Sequence, residues 1–283
     1  MSLTTLNAMN IAERSAPMRC PWSRYGICFA CVLFLMCHGT AAAVQSRTIE
    51  YEDDGVALSG SLSVDDAVKG RRPGVLVVHE WWGLNDYAKK RAEQLAAMGY
   101  VAFALDMYGE GKVAEHPTEA GTWSGQITRN VKQWQQRALA GLKVLRSQPQ
   151  VDPKRLAAIG YCFGGATVLQ LAYSGTDIAG VVSFHGSLPP PDVQQASGIK
   201  ARILICHGAS DGFIPQQRID KLRAALEGAR SDWQMITYGG AVHSFTNPAA
   251  DKRDIKGLAY NEKADRRSWG HMKMFFDEIF RRE

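Results

Sequence analysis

The sequence lacks several features that mark other classes of protein. Its net charge is only +5, and no dense run of Lys and Arg occurs, which argues against a nucleic-acid-binding surface. The longest uninterrupted apolar run, Ile27 to Met36, is too short for an ordinary membrane-spanning helix. The 27 Gly and 11 Pro follow no period, which excludes a collagen-like chain. With 46% hydrophobic residues among 283, the chain fits a globular protein of one or two domains.

Residues 1–43 form a segment of their own. Arg19 and Arg24 precede the apolar run, and Gly39 and three consecutive alanines follow it. A positive region, a short apolar core and small residues are typical of a secretory signal peptide. We expect cleavage after Ala43, a periplasmic or secreted mature protein, and no stable membrane insertion after cleavage. A buried N-terminal helix or an uncleaved anchor is the alternative.

Cysteine is scarce in the part of the chain that would remain. Of the six cysteines, only Cys162 and Cys206 follow residue 43. Two cysteines in a chain of this size do not form a disulfide framework.

The remainder, residues 44–283, alternates apolar runs with segments of helical spacing. This alternation predicts an α/β fold with a mainly parallel central sheet and helices on both faces, in a single domain. The segment from Met107 to Gln126 is polar and long for a connection, so it is either a cap over a pocket or a surface loop. Strands are predicted at 56–64, 75–79, 101–105, 156–159, 178–184, 203–206 and 233–238, and helices at 87–98, 129–145, 164–173, 216–226 and 263–280.

Cys162 lies between a predicted strand and a predicted helix, in the sequence Gly-Tyr-Cys-Phe-Gly-Gly of residues 160–165. Small residues two positions before and after a nucleophile permit a sharp, strained turn, which places the side chain at the N-terminus of the next helix. That position favours a thiolate, and the free N–H groups of the helix can bind an oxyanion. An inert core cysteine is the alternative interpretation.

Asp211 and His243 each follow a later predicted strand. In this type of fold the order along the chain is nucleophile, acid and base, so the two residues are candidates for the acid and the base. Asp211 could instead cap the next helix, and His243 could be a loop histidine bonded to backbone. Glu80 also follows a strand, in a loop that normally supplies an oxyanion-hole N–H, and its carboxylate would face the nucleophile.

Three further histidines, His79, His185 and His207, lie near strand ends. Their spacing matches no zinc-ligand pattern, and no second carboxylate or cysteine accompanies them. We therefore expect no metal and no cofactor.

The chain from Val44 to about Phe280 resembles the dienelactone hydrolase family of α/β-hydrolases. The resemblance rests on four stretches together: residues 79–83 (HEWWG), 160–165 (GYCFGG), 210–211 (SD) followed by 214–215 (IP), and 243–245 (HSF). It implies a catalytic triad of Cys162, His243 and Asp211. It also implies that Glu80 contacts the resting thiol and helps to deprotonate it, and that the backbone N–H groups of Trp81 and Phe163 form the oxyanion hole.

One position departs from the family pattern. Relatives that act on dienelactone bind its carboxylate with arginines, one of them four residues after the catalytic histidine, where this chain has Asn247. The segment from Met107 to Gln126 contains no arginine, and Arg129 is the nearest substitute. Four aromatic residues predict an aromatic rim around the pocket, and ordinary packing is the alternative; they are Trp81, Trp82, Tyr108 and Trp123.

These features predict a hydrolase that cleaves a small-molecule carboxylic ester or lactone through a thioester on Cys162. Three alternatives remain open at this point. The first is an esterase for acylated sugars or xenobiotic esters, and the second is a binding protein with a hydrolase fold. The third is a redox sensor in which Cys162 pairs with Cys206.

Overall fold

The computed structural model describes residues 44–281, all of which lie in one compact unit. The predicted signal peptide, residues 1–43, lies outside the described residues. The strands are β1 (Val44–Asp53), β2 (Val56–Asp65), β3 (Arg72–Val78), β4 (Val101–Leu105), β5 (Val151–Tyr161), β6 (Gly180–Phe184), β7 (Arg202–Gly208) and β8 (Trp233–Tyr238). The helices are α1 (Asp86–Ala97), α2 (Pro117–Thr128), α3 (Val131–Arg146), α4 (Phe163–Tyr173), α5 (Val193–Ser197), α6 (Gln216–Gly228) and α7 (Glu262–Ile279), and a short 3₁₀ helix spans Ala250–Arg253.

The eight strands form one sheet in the order β1-β2-β4-β3-β5-β6-β7-β8. The β1–β2 and β2–β4 pairs are antiparallel, and every pair from β4 to β8 is parallel. Parallel strands place their carboxyl ends at one edge, which is where ligands bind in such sheets. The predicted α/β fold, with a mainly parallel sheet, is confirmed.

Alternate side chains of the central strands enter two separate cores, one on each face of the sheet. On one face, Leu76 and Val78 of β3 pack with residues of α3, α4 and α6. On the other face, Val75 and Val77 pack with residues of α1 and α7. A strand buried on both faces reads as a continuous apolar run, which is why the sequence of β3 shows no polar alternation.

Two elements differ from the sequence prediction. Strand β1 was not predicted; it pairs with β2 through a tight turn at Asp54 and Gly55, whose φ angles are 52° and 75°. An Asp-Gly turn of this hand matches the twist of a hairpin. The segment from Met107 to Gln126 is not a plain loop, because α2 begins within it at Pro117. Arg129 is the exposed C-cap of α2 rather than the start of α3.

In residues 44–281, no helix is both long enough and apolar enough to cross a membrane.

Gly164 marks the closest approach of α4 to the end of β3. A Cβ atom at this position would collide with the carbonyl oxygens of Val78 and His79, which belong to the backbone and cannot turn away. We expect Gly164→Ala to lower the free energy of unfolding by about 3 kcal/mol or more. The matched control is Gly125→Ala within α2, where a Cβ meets no atom and should stabilise by about 0.5–1 kcal/mol. Denaturant unfolding of both variants measures the contrast, and equal stabilities would contradict the proposed contact.

Candidate active site

Cys162 occupies the turn between β5 and α4. Its φ angle is 54°, a left-handed conformation that is strained for a residue other than glycine. The Cys162 N–H donates to the carbonyl of Phe184 at 3.0 Å, which ties the turn to β6. The thiol therefore stands at the carboxyl edge of the sheet, at the N-terminal end of α4, and it is partly exposed.

Asp211 and His243 meet at the same edge. The Nδ1 atom of His243 lies 2.8 Å from Oδ2 of Asp211, and the two side chains are nearly buried. The other carboxylate oxygen of Asp211 accepts the N–H of Phe213 at 3.0 Å, so both oxygens are held. The backbone of His243 is fixed too, because it bonds to Gly257 and to Ala259. The ring can therefore turn little, and its orientation is set by the acid.

The charge of His243 is governed by its two neighbours. Burial lowers the pKa of His243, but the facing Cys162 sulfur and the Asp211 carboxylate outweigh burial and raise this pKa to about 10. The hydrogen bond between the Cys162 thiol and the imidazole of His243 places the two groups where a proton can pass between them. The geometry thus brings the predicted nucleophile, base and acid into one chain of contacts.

A cavity of about 340 Å³ opens next to Cys162 and His243. Trp81 and Phe163, the two predicted oxyanion-hole residues, both contribute to its lining. Phe163 is the first residue of α4, where N–H groups have no partner within the helix, and Trp81 lies in the loop after β3. Most of the remaining wall is apolar and includes Trp134, whose ring stacks on Phe163 at 6.0 Å between centroids.

Glu80 is buried beside the predicted triad. Its carboxylate oxygens accept hydrogen bonds from Oγ of Ser244 at 2.8 Å and from Nδ2 of Asn247 at 2.5 Å. The Asn247 amide is oriented by the Ala249 N–H, which donates to its Oδ1 at 2.9 Å. Burial raises the pKa of Glu80, and the two hydrogen bonds oppose that rise. The structure therefore places Glu80 as a bridge between the Trp81 loop and the His243 loop, and the Cys162 thiol faces His243.

The three remaining predicted pocket residues lie behind the wall and not in it. The prediction that Trp82 lines the pocket is wrong. Trp82 is 2% exposed, packs with Ala114 and Ala120, and lies under the guanidinium of Arg253 at 3.9 Å. The Tyr108 hydroxyl donates to the Trp81 carbonyl, and its ring contacts Phe163. Trp123 packs against Tyr108 in turn. These residues support the Trp81 loop from behind.

Several residues that line the cavity were not among the predicted site residues, and the largest of their side chains belong to Trp134, Phe213 and Arg218. Of these three, only Phe213 could have been predicted from the sequence, because it follows the predicted acid Asp211 by two residues. Trp134 and Arg218 lie on helices far along the chain from Cys162, and nothing in their local sequence indicates a pocket.

The histidines His79, His185 and His207 are buried and do not assemble into a metal site. No group of metal-binding side chains is found among residues 44–281. His79 Nδ1 faces the Glu80 carbonyl, and His185 Nε2 lies 2.7 Å from Oγ1 of Thr246. Burial lowers the pKa of all three side chains.

Acid should therefore destabilise the fold. Below pH 6.5 the unfolded chain binds protons that the buried, neutral His185 does not, so stability falls as pH falls. We expect His185→Asn, which tolerates the φ of 40°, to reduce the slope of unfolding free energy between pH 6 and 5 by about 1.4 kcal/mol per pH unit. Glu80, whose pKa is raised by burial, makes stability rise as pH falls, but it does so in both proteins. The difference between the slopes of wild type and the variant therefore reports on His185. Urea unfolding at several pH values measures the slope, and an unchanged slope would contradict the prediction.

Cys162 and Cys206 are too far apart for a disulfide. In the sheet, Tyr161 pairs with Phe184, and Phe184 pairs with Cys206. Two strand spacings thus separate the ends of β5 and β7, or about 9–10 Å, whereas a disulfide needs Cα atoms within about 7 Å. Cys206 is also fully buried, and the Tyr238 hydroxyl donates to its sulfur. This geometry disfavours the redox-sensor alternative.

Comparison with known proteins gives a consistent result. The sequence model of the dienelactone hydrolase family matches residues 59–280. A dienelactone hydrolase-like promiscuous phosphotriesterase from metagenomic libraries is 39% identical, with a TM-score of 0.83 over 84% of this chain and 100% of that one. A solved protein designated m3DLH is 41% identical, with a TM-score of 0.82 over the same shares. Protein usf of Aquifex pyrophilus is 28% identical over 82% of this chain and 98% of its own length.

Proposed function

Because the chain belongs to the dienelactone hydrolase family, whose model matches residues 59–280, we propose that it hydrolyses carboxylic esters or lactones through Cys162, His243 and Asp211. One observation carries the proposal: Cys162 faces a His243 that is bonded to Asp211 at 2.8 Å, at the mouth of an apolar cavity. A nucleophile, a base and an orienting acid are the parts that acyl transfer requires.

In the first half of the reaction, the Cys162 sulfur attacks the substrate carbonyl and forms a C–S bond. The carbonyl oxygen becomes an oxyanion, which the N–H groups of Trp81 and Phe163 stabilise; one such donor contributes about 3 kcal/mol. The intermediate collapses, the ester C–O bond breaks, and His243 transfers its proton to the leaving oxygen. An alcohol departs from an ester, whereas a lactone opens, and a thioester remains.

In the second half, a water molecule replaces the leaving alcohol. His243 accepts one proton from this water as the oxygen attacks the thioester carbonyl. The C–S bond then breaks, the carboxylic acid leaves, and Cys162 recovers its thiolate beside the protonated His243. These steps need no metal and no cofactor.

Glu80 is assigned an indirect part. Its carboxylate accepts hydrogen bonds from Ser244 and Asn247 at 2.8 and 2.5 Å, which tie it to the His243 loop. We assign it the assistance in thiol deprotonation that the family resemblance implies, together with the fixing of the Trp81 loop relative to His243.

Acid quench during turnover of an aryl ester tests the thioester directly. Mass spectrometry of the quenched protein should show one acyl adduct on the peptide that contains Cys162, and neutral hydroxylamine should remove it. A catalytically active protein with no adduct under single-turnover conditions, or with an adduct on another residue, would overturn the mechanism. Acylated sugars and xenobiotic esters in the same panel distinguish the esterase alternative, and the absence of any turnover favours a binding protein.

A second activity, phosphotriester hydrolysis, is supported by a separate observation. The cavity interior is mostly apolar, which suits a substrate without net charge, and one relative is described as a promiscuous phosphotriesterase. Here the Cys162 sulfur would attack phosphorus, an alkoxide or phenolate would leave with the His243 proton, and water would release a phosphodiester. Slow release of an aryl alcohol from a neutral aryl phosphotriester, lost in Cys162→Ala, is the expected result.

We also propose that the mature protein acts in the periplasm or outside the cell. The proposal rests on the leader pattern in residues 1–43. N-terminal sequencing of the protein recovered from a secreting host should begin at Val44, and a chain that retains residues 1–43 inside the cell would overturn it.

A further inference from the structure

One wall of the cavity comes from the residues that follow Asp211. Phe213, Ile214 and Arg218 all contribute to the lining. Phe213 is 48% exposed, and the centroid of its ring lies 5.4 Å from that of the His243 ring. Gly257 lies behind the ring; a Cβ there would stand 3.0 Å from Phe213, so a glycine leaves room for it. A large apolar side chain is thus held half-exposed beside the predicted base.

The reaction chemistry identifies which part of a substrate meets this wall. His243 must come within hydrogen-bond reach of the leaving oxygen in order to protonate it. The group attached to that oxygen therefore lies on the His243 side of Cys162, against Phe213. The acyl group is then left to the rest of the cavity, whose lining includes the stacked rings of Trp134 and Phe163. The cavity consequently has separate acyl and leaving-group sides.

Arg218 stands at the outer end of the leaving-group side, in the first turn of α6. Arg218 is exposed, and its Nη1 donates a hydrogen bond to the Ser187 carbonyl at 3.2 Å, which ties the guanidinium to another lining residue of the cavity. It takes part in none of the ion pairs found in residues 44–281. Apart from His243, Arg218 is the one Lys, Arg, Asp, Glu or His side chain among the described residues that line the cavity. Its remaining N–H groups are available to an anion, and the N-terminus of α6 adds positive partial charge.

We propose that Phe213 and Arg218 form a leaving-group subsite that selects esters of aromatic alcohols bearing an anionic substituent such as a carboxylate. The aromatic ring packs on Phe213, and the anion binds the Arg218 guanidinium at the mouth. This inference rests on the proposed ester hydrolysis and specifies the alcohol portion of its substrate.

The test compares two probes that differ in one charge: 3-carboxyphenyl acetate and its neutral isostere, 3-carbamoylphenyl acetate. We expect wild type to hydrolyse the anionic probe with a kcat/KM about fivefold higher, mainly through a lower KM. Arg218→Ala should reduce the ratio to about one, and Arg218→Lys should retain part of it. The matched control is Arg223→Ala, an exposed arginine on α6 outside the lining, which should leave the ratio unchanged. Because the same two probes are used throughout, their different intrinsic reactivities cancel between variants.

Two further measurements separate the parts of the subsite. Raising the salt concentration should reduce the preference of wild type for the anionic probe and leave that of Arg218→Ala unaltered. Phe213→Leu should raise KM for phenyl acetate several-fold more than KM for ethyl acetate, because only the aryl group packs on the ring.

The outcomes distinguish the inference from the function on which it rests. If the neutral probe is hydrolysed in a Cys162-dependent manner while Arg218→Ala and Arg223→Ala show the same ratio as wild type, the subsite is overturned and the ester hydrolase stands. If neither probe nor any other ester is hydrolysed, the proposed function fails and the subsite fails with it.

Discussion

Replacement of Cys162 by Ala is expected to lower kcat/KM for an aryl ester by about 10⁴-fold or more. The sulfur is the atom that forms the bond to the acyl group, and Cys162 is the N-cap of α4 and contacts His243. Removing the thiol leaves only the oxyanion hole and substrate binding to accelerate the attack of water. Initial rates over a range of substrate concentrations, with the enzyme kept reduced, measure the loss.

A second cysteine provides the matched control. Cys206 is fully buried at the end of β7, and burial raises its pKa to about 12, so it stays a neutral thiol. Cys206→Ala should cost about 1 kcal/mol of stability for the lost sulfur and leave kcat/KM within about twofold. Equal activity of Cys162→Ala and wild type would show that another group attacks the ester and would remove the basis of the proposed mechanism.

The predicted fold depends on patterns that are local in sequence. Glycines indicate the strand-turn-helix at residues 160–165, because Gly160 and Gly164 lie where the backbones of β5, α4 and β3 are in contact. The buried strands appear as apolar runs since both of their faces are covered. The order of Cys162, Asp211 and His243 along the chain then places three side chains at one edge of a parallel sheet. This much requires no tertiary information.

The remainder depends on contacts between distant segments. Trp134 reaches the cavity because α3 packs beside α4 and its ring stacks on Phe163, and the sequence around residue 134 predicts only an amphipathic helix. Trp82 was predicted at the rim, but the loop after β3 turns it into a small core with Ala114 and Ala120. The rings of Trp81 and Trp82 lie 5.1 Å apart, yet of the two only Trp81 lines the cavity, and sequence alone does not indicate which one does.

The partners of Glu80 illustrate the same limit at a single residue. Sequence reasoning placed its carboxylate near the nucleophile and noted Asn247 only as an absent arginine. The structure joins the two, with Nδ2 of Asn247 at 2.5 Å from the Glu80 carboxylate. A residue 167 positions away becomes a neighbour because the loops after β3 and β8 meet at the sheet edge.

Asp211→Asn is expected to lower kcat/KM by about 10³- to 10⁴-fold although it changes one atom. The Phe213 N–H donates to Oδ1 of Asp211 at 3.0 Å, so the oxygen of an asparagine would occupy that position. Its NH₂ group would then face Nδ1 of His243, 2.8 Å away, where the carboxylate oxygen now lies. An NH₂ group can only donate, so the imidazole proton would move to Nε2 and the ring could no longer accept a proton from Cys162.

The same change should be visible in the charge of His243. Burial lowers the pKa of His243, and with the Asp211 charge removed less opposes burial, so this pKa should fall below the value of about 10. NMR titration of the labelled imidazole measures the shift, and thermal unfolding checks that the fold is retained. Asp220→Asn, an exposed position on α6, is the matched control and should change neither quantity. If Asp211→Asn keeps its activity within about tenfold of wild type and His243 keeps its pKa, a different group orients the base.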